Sequence, residues 1–196
     1  SIESSKFAVD FKRAPEYHLS MERTYLTGQF LIAMPGLQDP NFYHSVTYIC
    51  VHNDEGAMGI TINRPLDMEL GEILEHMQIA VYAPQVRRLP IYQGGPVEPE
   101  RGFVLHRGDR QWDAMLTVDG QVAITTSRDI LTSIAKGEGP QETLIALGYS
   151  GWGAGQLERE LADNAWLSGP ADLEIIFRLP TEQRWEAAAH RMGIDL

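Results

Sequence analysis

The spacing of apolar side chains changes period several times along the chain, and each change marks an element. FLIA (Phe30 to Ala33) reads as a short strand stopped by Pro35-Gly36, and SVTYICVH (Ser45 to His52) as a longer one rich in β-branched and aromatic residues. Asn53-Asp54-Glu55-Gly56 supplies turn chemistry ahead of AMGITIN (Ala57 to Asn63). The two runs are therefore expected to form an antiparallel hairpin, ended by Arg64-Pro65. From Asp67 to Met77 the period becomes helical, with Leu70, Ile73, Leu74 and Met77 at i, i+3, i+4 and i+7.

Beyond a connector from Pro84 to Pro90, strands are expected at IYQ (Ile91 to Gln93) and FVLH (Phe103 to His106). GGPVEPERG lies between them as a loop too rich in glycine and proline to continue a ladder. WDAMLTV and QVAITT flank Asp119-Gly120, which predicts a two-residue hairpin turn with positive φ angles. Thr126 and Asp129 have capping-box spacing ahead of the helical ILTSIAK, and Gly137 supplies a left-handed stop. TLIALG (Thr143 to Gly148) has the near-continuous apolar character of a strand covered on both faces. Residues 155 to 165 read as an amphipathic helix with Leu157, Leu161, Ala162 and Ala165 on one arc. LEIIF (Leu173 to Phe177) fits either strand or helix, and Trp185, Ala188, Ala189 and Met192 mark a last helix from Thr181 to the stop at Gly193.

Length and charge narrow the function classes. At 196 residues and 43% apolar content, the chain can bury roughly 70% of its extended surface on folding. Residues 1 to 24 mix charge with few apolar positions and read as an N-terminal extension, an arm on the domain or a frayed end. Residues 25 to 196 read as one domain. The single cysteine, Cys50, sits in an apolar run, so it reads as core filler and points to a reducing compartment. No apolar stretch approaches the ~20 residues of a membrane span, and the first residues lack the hydrophobic segment of a signal peptide. A cytoplasmic protein is expected. Sixteen basic against twenty-seven acidic residues give a formal charge of −11, which disfavours contact with nucleic-acid phosphates.

The stretch LGYSGWGAGQLERELADNAWL (Leu147 to Leu167) carries the chemistry worth testing, because a serine between glycines leads into a helix. A nucleophile elbow needs glycines two residues either side of its serine, and Trp152 occupies the second position. A phosphate loop needs a lysine after its last glycine, where Ala154 stands, and a dinucleotide fingerprint needs a glycine at Gln156. What remains is a glycine-rich strand-to-helix turn, which either packs tightly or leaves backbone N–H groups for a polar ligand atom. The six histidines (18, 44, 52, 76, 106 and 190) have no zinc-binding spacing, and neither a metal nor a cofactor is expected. His52 and His106 end predicted strands, as structural or substrate-orienting groups. Arg64, squeezed before Pro65, needs a carboxylate or carbonyl partner, as a structural clamp in preference to an anion-binding group.

Several long segments in order resemble the AlgH/YqgE family of bacterial proteins: GQFLIAMPGLQDPNFYHSVTYICVHNDEGAMGITINRP, YQGGPVEPERGFVLH, ALGYSGWGAGQLERELADNAWL and GPADLEIIFRLP. The resemblance runs from about Gly28 to Gly193. It implies an α+β fold, a mixed, largely antiparallel β-sheet with flanking helices, and no established activity. The family's pattern takes Gly148, Tyr149, Gly151 and Trp152 without demanding Ser150, and the regulator label of some members names no DNA-reading element. Three functions stay open: a binding or regulatory adaptor module acting without DNA contact, an enzyme of unknown reaction with a site at 148 to 156, and a DNA-binding transcriptional regulator. Candidate ligand-binding residues are Asn63, Arg64, Gly94, Gly95, Ser150, Gly151, Trp152 and Gln156, facing a protein or small-molecule partner. No catalytic residue is assigned.

Overall fold

The computed structural model describes residues 25–37, 39–40 and 42–194, so the expected N-terminal extension lies outside the described residues. Ten strands form one sheet: β1 (Gln29–Ala33), β2 (Val46–Asn53), β3 (Gly56–Thr61), β4 (Pro65–Glu69), β5 (Pro90–Gln93), β6 (Val97–Arg107), β7 (Met115–Thr117), β8 (Val122–Thr125), β9 (Thr143–Gly153) and β10 (Trp166–Pro170). The main path runs β10-β1-β2-β3-β9-β6-β8-β7, with β5 joining β9 and β4 joining β5. Among the described strands only the β5 and β9 pair is parallel, so the sheet is mixed and largely antiparallel. Five described helices cover it: α1 (Leu70–His76), α2 (Arg128–Ala135), α3 (Gln156–Ala162), α4 (Leu173–Phe177) and α5 (Arg184–Arg191). The fold is α+β, as expected. None of the described helices is long and apolar enough to cross a membrane.

Both faces of the sheet carry buried apolar clusters. One carries the cluster of Tyr48, Phe103 and Tyr149 with Ile175, Ile176, Ala188 and Ala189 of α4 and α5. The other carries Leu70, Leu74, Ile130 and Ile134 of α1 and α2, and farther along Trp152, Leu157 and Trp166 beside α3. Side-chain alternation along β9 explains the division: Leu144 and Ala146 face the first cluster, Ile145 and Leu147 the second.

The hairpin of β2 and β3 forms as expected, with Asn53 opposite Gly56 and a bulge between Ile49 and Val51. Several other elements differ from their sequence reading. The helix expected from Asp67 begins at Leu70, because Pro65, Asp67 and Glu69 are exposed while Leu66 and Met68 are half-buried, a period of two that makes β4. GGPVEPERG does carry a strand: Val97 pairs with Tyr149 and Gly102 with Leu147, so the residues between them bulge out and Pro99 has no ladder bond to lose. The β7 and β8 hairpin exists, but Gly120 is absent from the positive-φ glycines; the Asp119 carboxylate closes the turn by accepting from the Gln121 and Val122 N–H groups. At α2 the N-cap is Ser127, one residue beyond the expected Thr126, with Asp129 accepting from the Ile130 N–H. LEIIF is helical, started by Asp172, which accepts from the Glu174 N–H. WLSGP, unassigned in sequence, pairs with β1 along its whole length.

Strand β9 organises the sheet. Its first half lies between β5 and β6, and its second half pairs with β3. Gly148 stands between the halves at φ +78, a left-handed conformation that lets the strand exchange one neighbour for the other. Gly94 and Gly95 cross it so closely that a methyl on Gly94 would lie 2.3 Å from the Gly148 carbonyl oxygen, and one on Gly95 2.1 Å from the Tyr149 carbonyl carbon. The crossing is bonded as well: the Gly94 N–H donates to the Leu147 carbonyl and the Thr61 N–H to the Gly94 carbonyl, both at 2.8 Å. Gly148→Ala is expected to cost about 2 kcal/mol or more, combining left-handed strain with the clash against the Gly95 carbonyl oxygen. Urea denaturation of the variant measures it.

Candidate functional site

The eight sequence candidates fall into three places, each held by bonds within the chain. Ser150, Gly151 and Trp152 were expected in a strand-to-helix turn; they lie instead within β9, paired with Gly59, Met58 and Ala57. The bend comes later, at Gly155 with φ +71, because the ladder with β3 continues to Gly153. Ser150 is fully buried, and its hydroxyl has no hydrogen-bond partner among the described residues. No imidazole is bonded to it. Gly94 and Gly95 abut this strand at the crossing described above, with a methyl on Gly95 meeting the Ser150 nitrogen at 2.4 Å.

Around Trp152 the joint is polar as well as aromatic. The Gly153 N–H donates to Gln156 Oε1 at 2.9 Å, Gln156 Nε2 donates to Glu160 at 2.9 Å, and Glu160 Oε1 accepts from both indoles, Trp152 at 3.3 Å and Trp166 at 3.0 Å. Phe42 stacks on Trp152 and meets Trp166 edge-on. This network fixes α3 against β9 and β10. Nearby, the buried His52 ring accepts the Leu26 N–H at Nδ1 (2.9 Å), which leaves its proton on Nε2 facing the Glu158 carboxylate. With both nitrogens engaged, His52 has no free base to offer.

Asn63 and Arg64 make the third joint. Asn63 accepts from the Val46 N–H and donates to the His44 carbonyl, both at 2.9 Å. Arg64 donates to the carbonyl oxygens of Pro40 (2.6 Å) and Tyr43 (2.8 Å), so its guanidinium bonds carbonyls as a clamp would. Burial lowers its pKa, opposed by Asp39.

A different place on the sheet is open. Between α1 and α2 lies a groove of about 390 Å³ that none of the eight candidates lines. Gly102 and Val104 of β6 and Ile145 and Leu147 of β9 form its floor; Ile73 of α1, Met77 at the C-cap of that helix and Leu131 of α2 form its walls. Leu147 is only half-buried although it lies on the central strand, and Gly102 has nothing within 4 Å of where a side chain would begin. Arg128 Nη2 donates to the Met77 carbonyl at 2.9 Å, tying the two walls together. The neighbouring Arg101 guanidinium lies 5.4 Å from the Phe103 ring centroid, and Phe103 packs in the opposite-face cluster. Sequence reasoning passed over this groove, because Gly102 reads as the end of a loop, and only its pairing with Leu147 puts it on the sheet. Among the described residues, no group of three or more His, Cys, Asp or Glu is placed to hold a metal ion.

Beside the groove, the buried His106 supports Thr125, which lines it. His106 Nδ1 donates to the Arg107 carbonyl and Nε2 accepts from the Thr125 hydroxyl, each at 2.7 Å, an arrangement that requires the neutral ring. Burial is the main cause lowering its pKa. The unfolded chain takes up this proton near the ordinary value of about 6.5, whereas the folded chain resists it. The contribution of His106 to stability is therefore complete above that value and is lost as pH falls below it. Thermal melts from pH 7.5 to 5.0 are expected to show a smaller acid loss in His106→Gln than in the parent. Ser150→Ala, which removes an unpartnered buried hydroxyl, is expected to leave stability unchanged or raise it by up to about 1 kcal/mol in denaturant titration.

The AlgH-like family model (DUF179) matches residues 30–196. A UPF0301 protein of Thioalkalivibrio sulfidiphilus is 61% identical over 170 residues, covering 87% of this chain and 91% of that protein. A UPF0301 protein of Nitrosococcus oceani is 55% identical over 172 residues, 88% and 92% of the two chains. The solution structure of the AlgH protein from Pseudomonas aeruginosa superposes with a TM-score of 0.77 at 49% identity, over 92% of this chain and 94% of that one. Protein DIP2367 from Corynebacterium diphtheriae, at 18% identity and a TM-score of 0.70 over 86% and 88% of the chains, shares the fold. Sequence, coverage and architecture agree, and this chain belongs to the AlgH-like family.

Proposed function

We propose that this protein is a cytoplasmic binding module, a regulatory adaptor that works without touching DNA, and that its ligand or partner sits in the groove between α1 and α2. The observation that carries this reading is the open apolar strip on the central strands, where Gly102 and the half-buried Leu147 leave sheet surface uncovered. A pocket of this size falls near the lower end of the roughly 300–1,000 Å³ range typical of small-molecule sites, and aliphatic walls with a few polar groups at the edge are their usual lining. Two of the eight sequence candidates, Gly94 and Gly95, bear on this reading indirectly, since they cross Gly148 where β5 and β6 flank β9, the strand that supplies part of the groove floor.

The enzyme alternative, centred on residues 148 to 156, receives less support. It needs a base for Ser150, and that hydroxyl has no bonded partner, while His52 and His106 spend both ring nitrogens elsewhere. The DNA alternative needs a basic surface, and a formal charge of −11 opposes it.

Gly102→Phe tests the proposal, since the added ring enters open space on the groove face and a strand position gains from losing a glycine. A neutral solvatochromic dye such as Nile red is expected to bind the parent and to lose at least tenfold in affinity with the variant, whose melting temperature stays level or rises. Equal dye binding by both proteins would remove the groove from consideration.

A further inference from the structure

We infer that the groove takes a small amphiphilic monoanion, a carboxylate with an aliphatic tail, whose tail lies on the sheet floor while its head group meets Arg101 and Arg128. This rests on the groove being the binding site. The lining holds two guanidiniums and one carboxylate, that of Glu100, so it carries an excess of one positive charge. The sign is the reverse of the formal −11 over the whole chain.

The ladder gathers both arginines at one end. Val104 pairs with Thr125 where β8 stops, and Ser127 beyond it is still extended. Counting that register onward sets Arg128 level with Arg101 as the chain enters α2. On the β9 side Gly102 faces Leu147 and Val104 faces Ile145, so the floor leads away from the arginines as aliphatic surface. A charged head and an apolar tail therefore meet different ends of one groove.

Donors remain for the head group. Arg128 spends Nη2 on the Met77 carbonyl, and Arg101 spends Nη1 on Glu98 at 3.4 Å, a partly exposed ion pair of the weak kind. A guanidinium carries more N–H groups than these contacts use, in a fork that matches a carboxylate. Of the hydroxyls in the lining, Thr125 donates to His106 and Ser127 to Asp129, while the half-buried Thr126 hydroxyl has no partner among the described residues. One negative charge balances the lining. A phosphate monoester brings nearly two and places the surplus beside Glu100, a cation meets both guanidiniums, and a neutral alcohol leaves them without a counter-charge.

Displacement of Nile red from the parent at neutral pH by octanoate, octanol, octylamine and octyl phosphate, which share one tail, tests the inference. Octanoate is expected to compete at least about fivefold more strongly than octanol, because its bonds are charge-assisted, and to exceed octylamine and octyl phosphate. The octanoate-to-octanol ratio should fall toward unity in Arg101→Gln and in Arg128→Gln. A ratio is read because a change in groove shape weighs on both ligands alike. Octanoate no stronger than octanol, octylamine or octyl phosphate stronger than octanoate, or a ratio that stays at the parent value in either arginine variant would each overturn the inference. Where Gly102→Phe has lost the dye, such a result removes the carboxylate and leaves the groove. Dye binding that ignores Gly102→Phe removes the groove and this ligand with it.

Discussion

Three strands compete for the two edges of β9, and they are reconciled by a contact between main chains at Gly94, Gly95 and Gly148. Backbones can approach this closely only where side chains are missing, and β9 can change partners in mid-strand only because Gly148 turns through a left-handed conformation. At that crossing lie the parallel seat of β5 and the bulge in β6, while side-chain alternation along β9 separates the clusters on the two faces of the sheet. The region that looked most like reactive chemistry is therefore where the sheet is joined.

The same joint shapes the groove. The β6 bulge ends at Gly102, directly opposite Leu147, so the strand next to β9 carries no side chain where the two wall helices stand apart. Arg128 holds those walls together through the Met77 carbonyl. The result is a largely aliphatic floor on the sheet with walls that belong to short helices.

Much of the secondary structure was legible because local signals decided it. The β2 and β3 hairpin, the apolar stripe of α1, the stops at Gly137 and Gly193 and the hydrophobic run of β9 all rest on side-chain period or on turn residues that act within a few positions. Misreadings cluster where a partner strand overrode the local signal. Ser150 to Gly153 read as a turn from their glycines, but β3 pairs with them; Val97 read as loop, but Tyr149 pairs with it; WLSGP read as nothing in particular, but β1 gives it a ladder. Arg64 is a case where residue type sufficed, since a guanidinium beside a proline needs acceptors and found two carbonyl oxygens.

The sequence by itself determined the family, the α+β class, the formal charge of −11 and the failure of the serine, phosphate and dinucleotide templates, because each depends on residue identity or on spacing along the chain. Only the tertiary structure decided that Ser150 lies buried in a strand, that His52 and His106 have both nitrogens engaged, and that Gly102 opens onto a groove. The reason is physical: accessibility and hydrogen-bond partnership are set by residues distant in sequence, and a glycine reads the same whether its missing side chain makes room for another backbone or for a ligand.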